Sequence, residues 1–464
     1  MIGSFREYLE RLEQDGEIAH VTREVEREWE IPAVTRKVLQ MPSARRPALI
    51  FDRVKGFQMP LCVGLYTNRR RYAKALDVKE EQILARWDAA FTHPIPPERV
   101  TEAPCQEVVL TGEQASLDRL PLPVWTPGRD AAPYVTAPCV IVRDPETGFV
   151  NLGTYRMMYK SPRTTGLFVN PLQHVGMVFA KFREKGAMDV AVALGPEPVC
   201  SFAAVSKVPY GMSELEVAGG LKGGPIQLVR GKTVDLDVPA TAEIVLEGEI
   251  HPGETEREGP FGEFLGYMST TYDMPVFHLK AITHRRDPIY HCFVSQKPPS
   301  ESSMLRSIGN ACLAMRELKA MGVPGVVDVH ITEAGCAWYH FVVAIRKIHP
   351  AHPKMVMNAI WATKAQLAKQ VIVVDDDVDV YNPFEVEWAV ATRVQPQRDV
   401  IILPDYVGQL EDLSQPEGER HMASKMGIDA TRKFPYPALA YPDRPWLAEV
   451  ERRWESYGVR ELDF

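Results

Sequence analysis

The apolar positions of the N-terminal stretch predict a small α/β unit. From Ser4 to Gly16 a capping pattern is followed by apolar residues at helical spacing, which predicts a helix. Short apolar runs at residues 48–51 and 61–65 are typical of buried strands. The stiff proline-rich segment His93–Pro97 follows, and we expect the first domain to cover residues 1–110.

The middle of the chain changes to a strand-rich pattern, and the last third changes again to alternating helices and strands. One helical interval, about Leu172–Glu184, interrupts the strands. We expect a β-rich domain over residues 111–310 and an α/β domain over residues 311–464. The predicted strands are Cys139–Val142, Glu243–Ile250, Val276–Ile282, Ile289–Val294, His340–Ile345 and Val371–Val374, and the predicted C-terminal helices are Met304–Met321, Lys354–Lys369 and about Pro445–Tyr457.

Composition excludes several classes of protein. The 464 residues are 45% hydrophobic and 25% charged, which is ordinary for a globular protein, and the net charge of −8 argues against nucleic-acid binding. No apolar run approaches the ~20 residues of a membrane span, and no secretory signal is visible, so we expect a cytoplasmic protein. The seven cysteines are dispersed without a Cys-x-x-Cys motif, which favours reduced, buried thiols.

The segment Glu258–Glu263 carries the most chemical information. Its sequence, Glu-Gly-Pro-Phe-Gly-Glu, is a poor helix and a poor strand interior, so it predicts a tight turn with a carboxylate at each end. Two neighbouring carboxylates suit acid–base chemistry, because one can orient a partner while the other carries a proton. A solvated acidic turn without a catalytic role is the alternative.

A second set of polar residues lies upstream. It consists of Asn151 and Arg156 in Asn-Leu-Gly-Thr-Tyr-Arg, His174 in Asn-Pro-Leu-Gln-His, and Glu214 in Gly-Met-Ser-Glu. Together with Glu258 and Glu263, this set resembles the UbiD family of reversible decarboxylases, which use prenylated FMN (prFMN). The order and spacing of these short motifs make the resemblance specific. It implies a central split β-barrel that binds the flavin, flanked by an N-terminal α/β unit and a C-terminal α/β domain through which oligomers form.

The resemblance also implies a cofactor site. Asn151, His174 and Glu214 are expected to bind a divalent metal, Mn²⁺ or Mg²⁺, that bridges the prFMN phosphate, since such ions accept mixed oxygen and nitrogen ligands. A K⁺ ion is expected beside it, near Ala203–Ser206. Lys369 is either a phosphate contact or a solvated lysine at a helix end. The acidic segment Asp375–Asp379 is interpreted as a loop that shapes or covers the cleft rather than as a metal cluster.

By the same resemblance, the catalytic residues are Arg156, Glu258 and Glu263. Glu263 is expected to protonate the carbon that loses CO₂, and Arg156 and Glu258 to orient the substrate carboxylate. An ion pair between Arg156 and Glu258 is compatible with that role. A UbiX-type prenyl-FMN synthase would supply the cofactor.

The substrate is expected to be an unsaturated, aromatic or heteroaromatic carboxylic acid. Ile308 is expected to pack against its ring, and His421 and Met422 to line the opposite wall. Arg306 either pairs with a second anionic group or is a surface residue, and the surface interpretation is slightly favoured. Two other functions remain open: an FMN-dependent oxidoreductase and a non-catalytic subunit of a multi-subunit carboxylase.

We also expect a homodimer or a larger homo-oligomer, built mainly from residues beyond about 320. The final helix has an apolar stripe that is expected to dock on the core or on a second subunit. Its residues are Trp446, Leu447, Val450 and Trp454.

Overall fold

A computed structural model of the protein describes residues 1–409 and 411–459. The last five residues of the predicted C-terminal domain therefore lie outside the described chain, and the division of the chain at residues 110 and 310 stays a prediction.

The first hundred residues form helices around a small sheet. Its strand order is β1-β2-β3-β16, so a late strand of the chain completes it. The elements are α1 (Phe5–Gln14), β1 (Ile18–Val21), α2 (Glu30–Leu39), β2 (Ala48–Phe51), β3 (Leu61–Val63), α3 (Arg69–Ala75), α4 (Ile83–Thr92) and β4 (Glu98–Arg99). The helix predicted from Ser4 is confirmed, because the Ser4 hydroxyl accepts a hydrogen bond from Glu7 N at 3.1 Å.

The middle of the chain forms a nine-stranded antiparallel sheet, the predicted split β-barrel. Its order is β6-β9-β10-β15-β14-β11-β7-β8, and β5 also pairs with β15. A small sheet of β13, β12 and β4 lies beside it. The elements are β5 (Val108–Thr111), β6 (Tyr134–Val135), β7 (Cys139–Arg143), β8 (Val150–Thr154), β9 (Met157–Ser161), β10 (Thr164–Leu167), α5 (His174–Ala180), β11 (Met188–Leu194), α6 (Pro198–Ala204), α7 (Glu214–Lys222), β12 (Gln227–Arg230), β13 (Asp237–Pro239), β14 (Ile244–Glu258), β15 (Tyr272–His284) and β16 (Tyr290–His291).

The last third alternates helices and strands around a mixed five-stranded sheet of order β17-β18-β19-β21-β20. Its central strands β18, β19 and β21 run parallel. β18 and β19 are nearly continuously apolar, as expected for strands covered on both faces, whereas β21 buries Lys425 and Asp429. The elements are α8 (Glu301–Ala320), β17 (Val326–Ile331), β18 (His340–Ile345), α9 (His352–Ala362), β19 (Gln370–Asp375), α10 (Pro383–Arg393), α11 (Pro396–Asp399), β20 (Val400–Val407), β21 (Met422–Asp429) and α12 (Arg444–Arg452).

Two predicted elements differ from the structure. The apolar run Ile289–Val294 contributes only the two residues of β16, which pair in parallel with β3 and so leave the barrel for the N-terminal sheet. The helix predicted over Lys354–Lys369 ends at Ala362, because Thr363 is extended and its hydroxyl donates to Ile360 O at 2.7 Å. A hydroxyl that binds the preceding turn in this way competes with further helical hydrogen bonds.

The acidic segment after β19 has a structural role that differs from the predicted cleft loop. Arg393 is buried and donates to Asp375 at 3.2 Å and to both carboxylate oxygens of Asp377 at 3.0 Å. Arg432 also binds Asp377 and Asp375. The acidic segment therefore neutralises two arginines inside the C-terminal domain.

The apolar stripe of the final helix contacts no core. No residue of α12 is buried, and Trp446 is 70% exposed. Of the two expected arrangements, docking of this helix on the core of its own chain is therefore wrong. Docking on a second subunit is the arrangement that remains. Six of the seven cysteines are buried, and all are free thiols, as predicted.

Candidate active site

Arg156 joins the two glutamates of the turn. Its Nε and Nη2 atoms each donate a hydrogen bond of 2.8 Å to a different oxygen of Glu258, and its Nη1 donates to Glu263. Glu258 is fully buried, whereas the Glu263 side chain keeps 19% of its surface exposed. The interpretation of Glu258–Glu263 as a solvated turn is therefore wrong, because the turn faces inward and its two glutamates both bind the Arg156 guanidinium.

The position of Arg156 follows from the barrel. It lies in the short connection between β8 and β9, with the guanidinium 4.1 Å from the centre of the Phe168 ring and 5.2 Å from that of Phe261. Burial lowers the pKa of Arg156, but the hydrogen bonds of Glu258 and the charge of Glu263 outweigh burial and raise the pKa overall. The arginine is thus a permanent cation between aromatic rings.

The turn is held by its own backbone. Gly259 has a φ of +91°, and a Cβ there would come within 2.7 Å of Thr270 O, so this position requires glycine. Beyond it, Glu263 N donates to Tyr267 O at 2.8 Å, and Ser269 N donates to Phe261 O at 2.8 Å. These bonds close a small loop that aims the Glu263 side chain at Arg156.

Asp130 supports the turn and was missed by the sequence analysis. Its carboxylate accepts hydrogen bonds from Thr126 N at 2.7 Å and from Gly262 N at 3.2 Å. Burial raises the pKa of Asp130 to about 6, although these backbone hydrogen bonds oppose the rise. Asp130 lies 132 positions before Gly262, and no local motif links the two, so the sequence carried no signal for the contact.

The His174 imidazole and the Glu214 carboxylate meet beside β8, the strand that carries Asn151. Glu214, almost fully buried at the start of α7, accepts a hydrogen bond from Leu152 N at 3.0 Å and lies 3.2 Å from His174 Nδ1. Asn151 is fully buried on β8 next to Leu152, and its amide also faces the backbone N–H groups of this strand. One amide, one imidazole and one carboxylate are a donor set that suits Mn²⁺ or Mg²⁺. The residues present therefore fit the expected metal.

Of the two interpretations of Lys369, the solvated lysine at a helix end is wrong. It precedes β19, and its ammonium group contacts Asp412 at 2.9 Å and Ser414 Oγ at 2.6 Å. These contacts occupy the side chain within the C-terminal domain, and a phosphate contact stays a prediction. The K⁺ ion expected near Ala203–Ser206 is likewise untested.

His421 and Met422, expected along the wall of the substrate pocket, are exposed where β21 begins, after the connection from β20. Their place along that wall stays a prediction.

Arg306 is not a surface residue, and the favoured interpretation of it was wrong. Its guanidinium lies 4.4 Å from the centre of the Phe264 ring and 5.6 Å from that of Trp338. Burial lowers the pKa of Arg306, and the charges of Glu263 and Glu411 partly offset this. Arg306 lies in the second turn of α8, and its side chain reaches Phe264, the residue after the Glu258–Glu263 turn, which we call the acid turn. Ile308, two residues further on, is buried, and its packing against a substrate ring stays a prediction.

The chain belongs to the UbiD family, as the site residues indicated. Three family models match it in order: the 3-octaprenyl-4-hydroxybenzoate carboxy-lyase N-terminal domain over residues 9–91, the Rift-related domain over residues 98–298 and the C-terminal domain over residues 303–430.

Individual relatives match over nearly the whole chain. An uncharacterized protein of Archaeoglobus fulgidus is 37% identical over 97% of this chain and 95% of its own length. An evolved dimeric form of the UbiD-class enzyme HmfF from Pelotomaculum thermopropionicum, solved with prFMN, is 35% identical with a TM-score of 0.85 and covers 95% of this chain and 97% of its own. Vanillic acid decarboxylase of Sedimentibacter hydroxybenzoicus is 28% identical with a TM-score of 0.89 and covers 98% and 100%.

Within residues 1–409 and 411–459, every helix is too short or too polar to cross a bilayer.

Proposed function

We propose that this protein catalyses the reversible, non-oxidative decarboxylation of an aromatic or heteroaromatic carboxylic acid with prFMN as its cofactor. The observation that carries the proposal is the buried Arg156 guanidinium held by Glu258 and Glu263. A guanidinium is the best partner for a substrate carboxylate, and an adjacent acid can deliver the proton that replaces CO₂.

The two glutamates have different roles. Glu258 occupies two nitrogens of Arg156 and is fully buried, so its role is to fix the direction of the guanidinium. Glu263 makes one contact to Arg156 and stays partly exposed, which leaves it free to exchange a proton. We therefore assign delivery of the proton to the carbon that loses CO₂ to Glu263.

Asn151, His174 and Glu214 would hold the divalent ion, Mn²⁺ or Mg²⁺, against the flavin phosphate, with K⁺ beside it. When bound, prFMN supplies an electron sink for the pair released as CO₂ leaves. HmfF, the relative solved with prFMN, and vanillic acid decarboxylase, a relative named for an aromatic acid, support this assignment. The supply of prFMN by a UbiX-type synthase and a homo-oligomeric state belong to the same proposal.

The substrate carries a second anionic substituent. Arg306 stacks on Phe264 and Trp338 near Glu263, and Lys207 Nζ lies 4.4 Å from the centre of the same Trp338 ring. Neither cation is paired with a carboxylate in the part of the chain that the structure describes. Unpaired cations on aromatic rings beside a reacting centre attract an anionic, planar ligand. A second carboxylate or a phenolate on the ring satisfies this requirement.

The test is production of the full chain with and without a prenyl-FMN synthase, followed by absorbance spectroscopy and an assay against aromatic acids. We expect a prFMN spectrum and CO₂ release only from the co-produced protein, and faster turnover of acids with a second anionic group. Binding of plain FMN with hydride transfer would instead support an oxidoreductase. Bound prFMN without CO₂ release or carboxylation on any acid would support the non-catalytic subunit.

A further inference from the structure

A cluster of two histidines and one glutamate lies on the outer face of the barrel, away from the residues discussed above. His251 and Glu254 are on β14, and His278 is on β15. One potential ligand atom from each of the three side chains lies within 4.8 Å of the others. In the described part of the chain, this is the one group of three or more histidine, cysteine or acidic side chains with such convergence.

The backbone creates the cluster through a bulge in β14. Ile250 pairs with Phe277 and Thr255 pairs with Pro275, so four residues of β14 lie opposite a single residue of β15. Gly253, with a φ of +86°, makes the bend possible. His251 and Glu254 are the two ends of this bulge, and His278 follows Phe277 on β15 and pairs with Glu249 of β14. The bulge therefore turns both ends toward one histidine.

We propose that His251, Glu254 and His278 bind a late first-row divalent cation, with Zn²⁺ as the expected ion. Two imidazoles and one carboxylate are a common Zn²⁺ ligand set, and water would complete a tetrahedron. Without metal, His278 Nε2 lies 2.9 Å from a Glu254 oxygen, and the rings of His251 and His278 lie 5.3 Å apart. Small adjustments of exposed side chains convert these contacts into coordination.

The surrounding charges favour a cation. His251 Nε2 lies 3.3 Å from Glu249, and Lys280 binds Glu249 and lies 3.6 Å from Asp189. Lys280 contacts the carboxylates of Glu249 and Asp189, and Glu254 adds a third carboxylate next to His278, so these groups together carry more negative than positive charge.

His20 provides a contrast within the same chain. It also contacts two carboxylates, Asp52 at 2.8 Å and Glu13 at 2.5 Å, but through opposite ring nitrogens. Ligands on opposite edges of one ring cannot converge on one ion. His20 is therefore a control, because it is a histidine beside two carboxylates whose ligand atoms do not converge.

The ion would join the two strands of the hairpin that carries the acid turn. Glu254 precedes Glu258 by four residues of β14. Coordination to His278 on β15 would close the bulge and stiffen the hairpin, so the role is structural and independent of the cofactor metal at His174.

The test is Zn²⁺ titration of the full chain after removal of bound metals, with Co²⁺ absorbance as a check on geometry. We expect His278→Ala and Glu254→Gln to bind Zn²⁺ at this site at least about tenfold more weakly than the wild type. His20→Ala and His174→Ala should keep this site. Zn²⁺ should also raise the melting temperature of the wild type but not that of His278→Ala.

Equal Zn²⁺ stoichiometry and affinity in the wild type, His278→Ala and Glu254→Gln would overturn the proposal. The Co²⁺ spectrum is recorded on His174→Ala, because the cofactor metal site then no longer contributes to it. Absence of tetrahedral d–d bands in that spectrum would also overturn the proposal. Circular dichroism of each variant identifies any that fail to fold, and Glu254→Gln, a change at an exposed position, then decides the outcome.

Discussion

Glu258 binds Arg156 through both of its oxygens, at 2.8 Å to Nε and 2.8 Å to Nη2. This pairing occupies two of the three guanidinium nitrogens and leaves Nη1 toward Glu263. Glu258 is therefore held in place by two hydrogen bonds, whereas Glu263 has one hydrogen bond to Arg156 and can move away from it. The predictions for the reacting centre follow from this difference.

Glu263→Gln should lose turnover and keep the cofactor. Glutamine has nearly the same shape and can still accept the Arg156 hydrogen bond, but it has no proton to deliver. Positioned proton transfer is worth ~10²–10⁴ in rate, so we expect a loss of that order in decarboxylation and in hydrogen–deuterium exchange of a substrate analogue. The measurement compares variants of matched flavin content.

Glu256→Gln is the control for this change, because Glu256 is exposed on the same strand, two residues before Glu258. It should keep wild-type exchange and turnover. If Glu263→Gln does so as well, the proton comes from another group and the role assigned to Glu263 is wrong.

His174→Ala should release the cofactor. His174 Nδ1 lies 3.2 Å from the Glu214 carboxylate, and loss of the imidazole leaves a weaker donor set for the divalent ion. We expect flavin and metal content after purification to fall at least about tenfold, measured by absorbance and by elemental analysis. The control is His349→Ala, at an exposed position in the C-terminal domain. Unchanged flavin occupancy in His174→Ala would count against metal ligation.

Arg306→Ala should reduce activity selectively. Charge-assisted hydrogen bonds contribute about 1.5–3 kcal/mol, so kcat/KM for an acid with a second anionic group should fall about 10–100-fold. The kcat/KM for the same acid without the second anionic group should change far less. Lys319→Ala, an exposed position on the same helix, is the matched control. An equal loss for both kinds of acid would mean that Arg306 only supports the fold.

The sequence predicted much of this site and missed the parts that depend on tertiary contacts. The contact of Arg156 with Glu258 and Glu263 was predictable from the resemblance of these short motifs to the UbiD family. The inward direction of Arg306 was not, since an arginine on a helix has the same local pattern whether it faces solvent or Phe264. The run Ile289–Val294 is apolar enough for a strand, but nothing local says that β16 joins β3. Asp130 meets Gly262 only through the folded barrel.

The final helix should contribute to an oligomer. Trp446 and Trp454 are 70% and 48% exposed, and with Val450 they form an exposed apolar stripe of the kind that a partner covers. We expect light scattering at micromolar concentration to give at least a dimer, and Trp446→Glu to weaken it. Glu451→Gln on the exposed part of the same helix should not. A wild-type protein of monomeric mass would contradict this prediction.

The stability of the protein should depend on pH through Glu301. This carboxyl group is fully buried at the start of α8 and accepts hydrogen bonds from Gly64 N at 2.9 Å and Tyr66 N at 3.0 Å. Burial raises the pKa of Glu301 from 4.5 to about 7, although these bonds oppose the rise. Because the folded state then holds a proton that the unfolded state has lost, the free energy of unfolding falls as the pH rises from about 4.5 to 7.

A glutamine at this position removes that titration. Glu301→Gln leaves one backbone N–H without an acceptor, so it should be less stable than the wild type at low pH. With about 1.4 kcal/mol for each pKa unit, the wild type should lose roughly 3 kcal/mol relative to the variant between pH 4.5 and 7, and the difference should be constant above that range. Urea denaturation across this pH range measures it. A difference that does not change with pH would mean that Glu301 is ionised in the folded protein throughout.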